Sequence, residues 1–479
     1  MTARRRTPPS PNASRTSNDR RASTTTRRPP RVAALGTAMA MAGVALLSGC
    51  GGLPGLNGGS ASGDPITVMT WAPVKTQATN MPGMPALAKT YARWVNANGG
   101  IAGRKLRVIT CNEGNDSVRA AACAKRARDE GALAVVGSYS QHGHSFMPHL
   151  ESVGIPYLGG YGNSAEEFTS PLSYPVNGGQ AALVAGNGRQ LAERCEKVSL
   201  VRPDTIAGDE LPGLFNAGLA GGKRDRATDV RAPEDSADYT AEAERALTAA
   251  GAGKAPAGSG PAGNDPVGGD PAGGGTGIVG AAAPAEAPGS CVSAALGGRT
   301  STFFDSFFRQ QREHGRVEIG SVLGSVEQSL VNRTGGGKGP LEGANVTSWY
   351  PAGGEPVWDQ MKDVVREYAF GDNRIDTYDP GVQTTWVAYT VLHRVLETLD
   401  GGKVTRQAIQ RQLDVGDPVS TGGITPPLGW RYEDLLGTRS YPRLVNPMVN
   451  FQRVEKGRLV AAQRDPVNIA STLESAGSR

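Results

Sequence analysis

Two short polar loops hold groups that are suited to hydrogen bonding with a small molecule. Ser140-Gln141-His142 follows the apolar run 133–137, and the polar turn 160–164, which ends at Ser164, follows the apolar run 155–158. Apolar runs of this length are typical of short buried strands. Because ligands of open parallel sheets bind at the carboxyl ends of the strands, we expect the hydroxyl and backbone donors of both loops to face one site.

The elements that must position these loops form a βαβ unit. Tyr91 and Trp94 lie on one face of a predicted helix, and Gly99-Gly100 ends that helix. A strand, a second helix and the strand that ends at Gly137 complete the unit. An earlier predicted strand ends at Trp71, whose side chain either lines the pocket or packs on the hinge side.

The same alternation of strands and helices resumes after residue 177, which predicts a second α/β lobe. Residues 251–290 are rich in Gly, Ala and Pro without hydrophobic periodicity, so we expect a disordered insertion there. The predicted division is lobe 1 at residues 66–176 and 347–420, lobe 2 at 177–346 and 421–465, and a C-terminal tail at 466–479.

The charge of the chain argues against a nucleic-acid partner. The formal net charge is +5, from 50 Lys and Arg and 45 Asp and Glu. Residues 1–49 contain nine of the Arg and one of the Asp, which leaves 41 basic and 44 acidic residues and a net charge of −3. We therefore expect no nucleic acid to bind, because the remaining chain lacks an excess of positive charge.

The N-terminus has the pattern of an export signal. An Arg-rich stretch ends at Arg31, an apolar run covers 32–47, and Leu47-Ser48-Gly49-Cys50 resembles a bacterial lipobox. In such signals a peptidase cleaves before the cysteine, whose thiol carries a diacylglycerol. We expect residues 1–50 to be a lipoprotein signal peptide and 51–65 a flexible tether, with Cys50 anchoring the protein on the extracytoplasmic face of the cell membrane. A leader with an incidental cysteine is the alternative.

The other four cysteines suit two disulfides in an oxidising compartment. Cys111 closes a predicted strand and Cys123 lies on the adjacent predicted helix, while Cys195 precedes a further predicted strand and Cys291 begins another. Four cysteines allow three pairings, and these positions favour Cys111 with Cys123 and Cys195 with Cys291. Four buried thiols are the alternative, and the absence of Cys-x-x-Cys disfavours a metal site.

Three stretches resemble the extracytoplasmic solute-binding proteins of the branched-chain amino acid type. They are Asn-Ala-Asn-Gly-Gly-Ile-Ala-Gly-Arg-Lys at 96–105, Val-Val-Gly at 135–137 and Gly-Ile-Thr-Pro-Pro-Leu at 423–428. The resemblance implies a type I periplasmic-binding-protein fold, with two Rossmann-like α/β lobes joined by three crossings. It further implies that the lobes close on an amino-acid-like small molecule and deliver it to an ABC permease of the inner membrane. We expect a monomer.

The resemblance also implies binding residues. In that family the first loop donates hydroxyls and amides to the carboxylate of the ligand, which here corresponds to Ser140-Gln141-His142. The second loop corresponds to Gly162 and Ser164. In the second lobe the ammonium-binding acid falls near Glu327, and Arg299 lies where an aromatic contact is common, which admits a more acidic ligand.

Ordinary structural roles remain open for several of these residues. Ser164 is also compatible with a turn or cap, and Glu327 with a surface carboxylate. His142, His144 and His149 do not have the spacing of a zinc site, so we expect no metal.

The sequence lacks the motifs of common enzyme classes. It contains no Gly-x-Ser-x-Gly elbow, no Gly-x-Gly-x-x-Gly after the first strand and no P-loop. We therefore expect no cofactor and no enzymatic activity, with a cell-surface hydrolase as a remote alternative. A ligand-sensing or scaffold lipoprotein of the same fold is the more serious alternative.

Overall fold

The computed structural model describes residues 63–77, 79–205, 207–252, 289–315, 317–399 and 403–476. The predicted signal peptide with Cys50, nearly all of the predicted tether and most of the predicted insertion lie outside the described residues. Within these ranges no helix is both long and apolar enough to cross a membrane.

The chain begins with a regular alternation of strands and helices. The elements are β1 (Ile66–Trp71), α1 (Gly83–Ala97), β2 (Leu106–Cys111), α2 (Ser117–Asp129), β3 (Ala134–Val136), α3 (Gly143–Glu151), β4 (Tyr157–Leu158), α4 (Glu166–Thr169) and β5 (Ser173–Tyr174). The strands form one parallel sheet in the order β2-β1-β3-β4-β5. Since β3 and β4 are neighbours, the loops that follow them lie side by side at the carboxyl edge of this sheet.

A second α/β alternation follows. The elements are α5 (Gly179–Ala192), β6 (Cys195–Pro203), α6 (Leu211–Gly221), β7 (Thr228–Ala232), α7 (Thr240–Ala249), β8 (Gly289–Ala294), α8 (Thr300–Gln311), β9 (Glu318–Val322), α9 (Gln328–Arg333) and β10 (Asn345–Ser348). Gly289 and Ser290, which were predicted to end the insertion, belong to β8. Their pairing with β6 explains the difference, because it extends the strand beyond its apolar residues.

The chain then returns to the first lobe and crosses back to the second. The elements are α10 (Asp359–Tyr368), α11 (Pro380–Glu397), α12 (Arg406–Val415), β11 (Met448–Glu455), β12 (Arg458–Ala461), β13 (Val467–Asn468) and α13 (Ala470–Ala476). The second sheet has the order β12-β11-β10-β9-β8-β6-β7, with β13 paired to β11. β11 is antiparallel to β10, β12 and β13, whereas the other pairings of this sheet are parallel.

Helices cover both faces of each sheet. In the first lobe, Val68 packs into an apolar cluster with α1 and α11, and its neighbour Met69 packs into a cluster with α2 and α3. In the second lobe, Leu200 faces α5 and α6, while Val201 faces α7 and α8. Successive strand residues therefore alternate between two buried faces, as expected of a sheet with helices on both sides.

Three crossings between the lobes are tied together by side-chain hydrogen bonds. Asn177 in the first crossing donates to the hydroxyl of Tyr350 in the second over 3.2 Å. Asn446 in the third crossing donates to the carbonyl of Val176 over 3.1 Å, and Trp430 donates to that of Pro175 over 3.1 Å. Residues 175–177 of the first crossing are therefore bonded to both other crossings, and we call these bonds the hinge network.

Both predicted disulfides are present. Cys111 at the end of β2 is bonded to Cys123 on α2, and Cys195 on β6 is bonded to Cys291 on β8. The second pair joins neighbouring parallel strands.

The end of the chain differs from the predicted division. Residues 466–476, predicted as part of a tail, form β13 and α13 because Ile469 and Leu473, one helical turn apart, are buried in the cluster that contains α5 and α6. Leu428 and Trp430, predicted to belong to lobe 2, contact residues predicted to belong to lobe 1. Leu428 pairs with Val419, and the Trp430 ring packs edge-to-face on Tyr174 of β5 at 5.8 Å.

Candidate functional site

The loop after β3 brings together the first group of predicted site residues. Ser140 is fully buried, and its hydroxyl donates to the Glu113 carboxylate over 3.2 Å and accepts from the backbone N–H of His142 over 3.1 Å. Gln141 is exposed and donates to the hydroxyl of Tyr139 over 3.0 Å. Burial raises the pKa of Glu113 above its ordinary value. The Ser140 hydroxyl is thus bound to a carboxylate of the chain itself.

The loop after β4 is organised in the same way around Glu167. The backbone N–H groups of Gly162 and Asn163 donate to this carboxylate over 2.9 Å each. Ser164 donates to it through its N–H over 3.1 Å and its hydroxyl over 3.3 Å. Glu167 is 1% exposed, and burial raises its pKa to about 7.

The two loops touch each other, as their strand order requires. A Cβ placed on Gly143 would lie 2.3 Å from the hydroxyl oxygen of Ser164. The rings of Tyr139 and Tyr161, one from each loop, are 4.9 Å apart in an edge-to-face arrangement. The loop that contains Ser140, Gln141 and His142 therefore lies against the loop that contains Gly162 and Ser164.

Trp71 occupies the core rather than the loop surface. Its side chain has no exposed area and packs against Phe146 at 5.1 Å and Tyr157 at 5.8 Å between ring centroids. Its contacts lie in the cluster of α2 and α3, which is separate from the cluster that contains the crossing residues Val176 and Tyr350.

The second lobe meets the first lobe at Tyr161. The Tyr161 ring packs edge-to-face on Trp349 at 5.0 Å, and its hydroxyl lies 2.8 Å from the position of a Cβ on Gly324. Gly324 and Leu323 follow β9, and Leu323 belongs to the same apolar cluster as Tyr139 and Tyr161. The carboxyl ends of strands from both lobes therefore face each other across one cleft.

The negative charge of a first-lobe carboxylate acts on a carboxylate of the second lobe here. Glu327, just before α9, is partly buried, and Asp379 is the residue before α11 whose carboxylate accepts from the N–H of Val382 over 2.8 Å. Burial, followed by the negative charges of Asp379 and Asp376, raises the pKa of Glu327. Burial likewise raises the pKa of Asp379.

Arg299 is exposed in the single turn 297–299 after β8, and the N–H of Gly297 in this turn donates to the hydroxyl of Ser325, next to Gly324, over 3.1 Å. The charge of Arg299 acts on Tyr239, where it opposes the rise in pKa that burial causes. Among the described residues, no group of three or more His, Cys, Asp or Glu side chains could hold a metal ion. His142 and His144 lie only 6.2 Å apart between ring centroids, but they form no such group.

A separate cavity of about 570 Å³ lies beside the second and third crossings. Its walls include Pro351, Val357, Ile424 and Met448, and none of the predicted site residues lines it. We place the site at the cleft instead, because charged and aromatic groups from both lobes converge there.

Comparison with known proteins identifies the family. The family model described as periplasmic binding protein matches residues 76–439. The chain belongs to the periplasmic binding protein family. No curated protein sequence is significantly similar to the chain.

Solved structures of periplasmic binding proteins share the fold. A substrate-binding periplasmic protein from Ralstonia solanacearum has a TM-score of 0.61 at 15% identity, with 83% of this chain and 99% of that chain covered. A solute-binding protein of an ABC transporter from Rhodopseudomonas palustris BisB5, in complex with 3,4-dihydroxybenzoic acid, has a TM-score of 0.62 at 12% identity, covering 84% and 97%. A branched-chain amino acid ABC transporter protein from Thermus thermophilus, with bound valine, has a TM-score of 0.60 at 13% identity, covering 85% and 97%. At these identities the likeness establishes the type I fold of two α/β lobes.

Sequence reasoning missed several residues of the cleft. Glu113, Glu167, Tyr161 and Asp379 were not among the predicted site residues. One of them left a signal, because Ser164-Ala165-Glu166-Glu167 has the Ser-x-x-Glu spacing of a capping box, in which the Glu reaches back to the Ser. The others depend on tertiary contacts between distant segments.

Proposed function

We propose that this periplasmic binding protein captures an amino acid or a similar small polar molecule between its lobes and delivers it to an ABC permease. The observation that carries the proposal is the meeting of the two lobes where the Tyr161 ring packs on Trp349 and the Tyr161 hydroxyl lies against Gly324. Groups from both lobes can contact one ligand only when the lobes are closed. A ligand that contacts both lobes therefore favours the closed state over the open one.

The hinge network suits such a motion. Asn177, Tyr350 and Thr384 are linked by hydrogen bonds through the Tyr350 hydroxyl, and these bonds lie at the crossings rather than in the cleft. Closure can therefore change the contacts at Tyr161 while the crossings stay connected.

Attachment to the membrane is part of the proposal. The support is the sequence Leu47-Ser48-Gly49-Cys50 after an apolar run, followed by a Gly-rich stretch up to Gly63. A monomer tethered through a lipid on Cys50 would remain at the extracytoplasmic surface, where a permease can receive its ligand.

A thermal-shift screen of amino acids, amides, amines and small acids tests the proposal. We expect at least one compound to raise the melting temperature by several degrees, because a ligand at 100 times its Kd stabilises the folded state by about 2.7 kcal/mol. Calorimetry then gives the affinity. A screen in which no compound of these classes stabilises the protein contradicts the proposal.

A ligand-sensing or scaffold lipoprotein of the same fold is the second candidate. The observation that favours it is that Glu113 and Glu167 already bind the donors of both first-lobe loops. Co-purification from membranes separates the two functions. An importer subunit is expected to co-purify with an ABC permease, and a scaffold is not.

A further inference from the structure

The cavity of about 570 Å³ lies on the far side of the crossings from the cleft. The strand order β12-β11-β10-β9 places β10 and β11, which carry the second and third crossings, between β9 and β12. The contact of Tyr161 with Gly324 lies just after β9, whereas the cavity is lined by Ala461 at the end of β12. We call this space the back cavity, because the crossings separate it from the cleft.

Both lobes contribute walls to the back cavity. Pro351 and Val357 line it from the segment that returns to the first lobe, and Met448 lines it from β11 of the second sheet. Trp349 lines it as well, and the same ring packs on Tyr161 in the cleft at 5.0 Å. A change in the angle between the lobes therefore changes the shape of the back cavity together with that of the cleft.

Two amide side chains of β11 offer hydrogen-bond acceptors to the back cavity. Met448, Asn450 and Gln452 alternate along the strand, so they share one face, and all three line the cavity. The amide nitrogen of Asn450 donates to the carbonyl of Trp349 over 3.1 Å, and that of Gln452 donates to the carbonyl of Tyr350 over 3.0 Å. Neither amide oxygen accepts a hydrogen bond from a residue that the structure describes. The two oxygens can therefore bind a ligand that supplies N–H or O–H donors.

The rest of the lining favours a neutral ring. The lining includes four proline rings, those of Pro351, Pro356, Pro426 and Pro466. An apolar ring buried against them is removed from water, and a rigid ring loses little conformational freedom on binding. The charged residues of the lining are Glu355 and Arg464, whose charges cancel. A neutral ligand avoids the repulsion that an ion of either sign would meet from one of them.

We propose that the back cavity is a second ligand site, for a small neutral molecule with an apolar ring and N–H or O–H donors, and that its occupant favours the closed lobes. The crossings form the hinge, so a rotation that closes the cleft moves the walls of the back cavity apart. A molecule that fills the wider cavity binds the closed state more tightly and shifts the population towards it. The proposal goes beyond solute capture, because none of the predicted cleft residues lines the back cavity.

Calorimetry on the full chain tests the ligand class. 4-Hydroxybenzamide and 4-hydroxybenzyl alcohol each have an apolar ring with donors, and methyl 4-methoxybenzoate has the same ring without a donor. We expect the two donor-bearing probes to bind about tenfold more tightly or better, because only they can bond to the oxygens of Asn450 and Gln452. If neither of them binds, the proposal is wrong.

Two variants place the probe. Val357→Trp and Pro466→Trp each add a large ring to the lining, which should weaken binding of 4-hydroxybenzamide about tenfold or more. Pro466 is exposed, so its replacement should leave the fold intact. Val415→Trp is the matched control, because Val415 is 68% exposed and does not line the back cavity, and it should leave the affinity unchanged. Binding that both Val357→Trp and Pro466→Trp retain would overturn the proposal.

Small-angle scattering tests the effect on the lobes. Saturating 4-hydroxybenzamide should lower the radius of gyration of the parent protein, and the same probe concentration should lower that of Pro466→Trp less. If the probe binds, the cavity variants weaken it and the radius of gyration of the parent stays constant, the coupling to the lobes is wrong.

The outcomes also separate this proposal from solute capture. If neither donor-bearing probe binds while a compound of the thermal-shift screen does, the back-cavity site fails and solute capture stands. If 4-hydroxybenzamide binds and only the cavity variants weaken it, while no compound of the screen binds, the back-cavity site stands and solute capture fails.

Discussion

The hydroxyl of Tyr161 in the first lobe lies against the backbone of Gly324 in the second lobe. A Cβ on Gly324 would be 2.8 Å from the hydroxyl oxygen, closer than real Cβ contacts come, and Gly324 has φ of +86°. Glycine is therefore required at this position both by its conformation and by the approach of the other lobe.

Gly324→Ala should hinder closure. The added methyl group meets Tyr161 only when the lobes are closed, so we expect ligand affinity to fall about tenfold or more and the closed state to be depopulated. Calorimetry and small-angle scattering measure the two effects. Gly131→Ala is the matched control, because Gly131 has φ of +71° with no atom within 4 Å of its Cβ position. Equal losses of affinity in both variants would show that backbone strain alone is responsible.

The disulfide between Cys195 and Cys291 should stabilise the protein more than that between Cys111 and Cys123. The first spans 96 residues and the second 12, and loop-closure entropy rises with loop length. Replacing each pair by alanine should cost about 5 and about 3 kcal/mol respectively, measured by urea unfolding. If the two losses of unfolding free energy are equal, or if removal of Cys111–Cys123 costs more, the entropy of the unfolded chain does not determine how much each disulfide stabilises the protein.

Much of the fold could be predicted from the sequence, because its hydrophobic periodicity is regular and its strands are short and apolar. The positions of Cys111 at the end of a strand and of Cys123 on the adjacent helix sufficed for one disulfide. The positions of the loops after β3 and β4 could be predicted as well, because each loop follows a short apolar strand. The partner of the Ser140 hydroxyl could not be predicted, since Glu113 reaches it only through the tertiary arrangement.

Glu167→Gln should remove part of the pH dependence of stability. The pKa of Glu167 is raised from an ordinary value of 4.5 to about 7 in the folded protein. Its contribution to the free energy of unfolding is therefore most favourable below about pH 4.5. That contribution declines as the pH rises towards about 7, by about 3 kcal/mol in total. Urea unfolding at pH 5 and pH 8 should show a smaller difference in the Gln variant than in the parent. If the unfolding free energy changes equally between pH 5 and pH 8 in the two proteins, Glu167 is not the source of this pH dependence.

Cys50→Ser should release the protein from membranes or leave its leader uncleaved, because the thiol that would carry the lipid is absent. Membrane fractionation and mass determination of the mature N-terminus give the answer. Cys123→Ser is a control that keeps Cys50 and should fractionate with membranes. If the Cys50 variant keeps both the membrane association and the N-terminus of the parent, Cys50 is not the anchor.

Solution scattering with and without the tightest ligand of the screen tests capture between the lobes most directly. We expect the radius of gyration to decrease on saturation, because a ligand that contacts both lobes near Tyr161 and Gly324 requires closed lobes. The Gly324→Ala variant should show a smaller decrease at the same occupancy. A radius of gyration that stays constant while calorimetry shows saturated binding would contradict capture between the lobes.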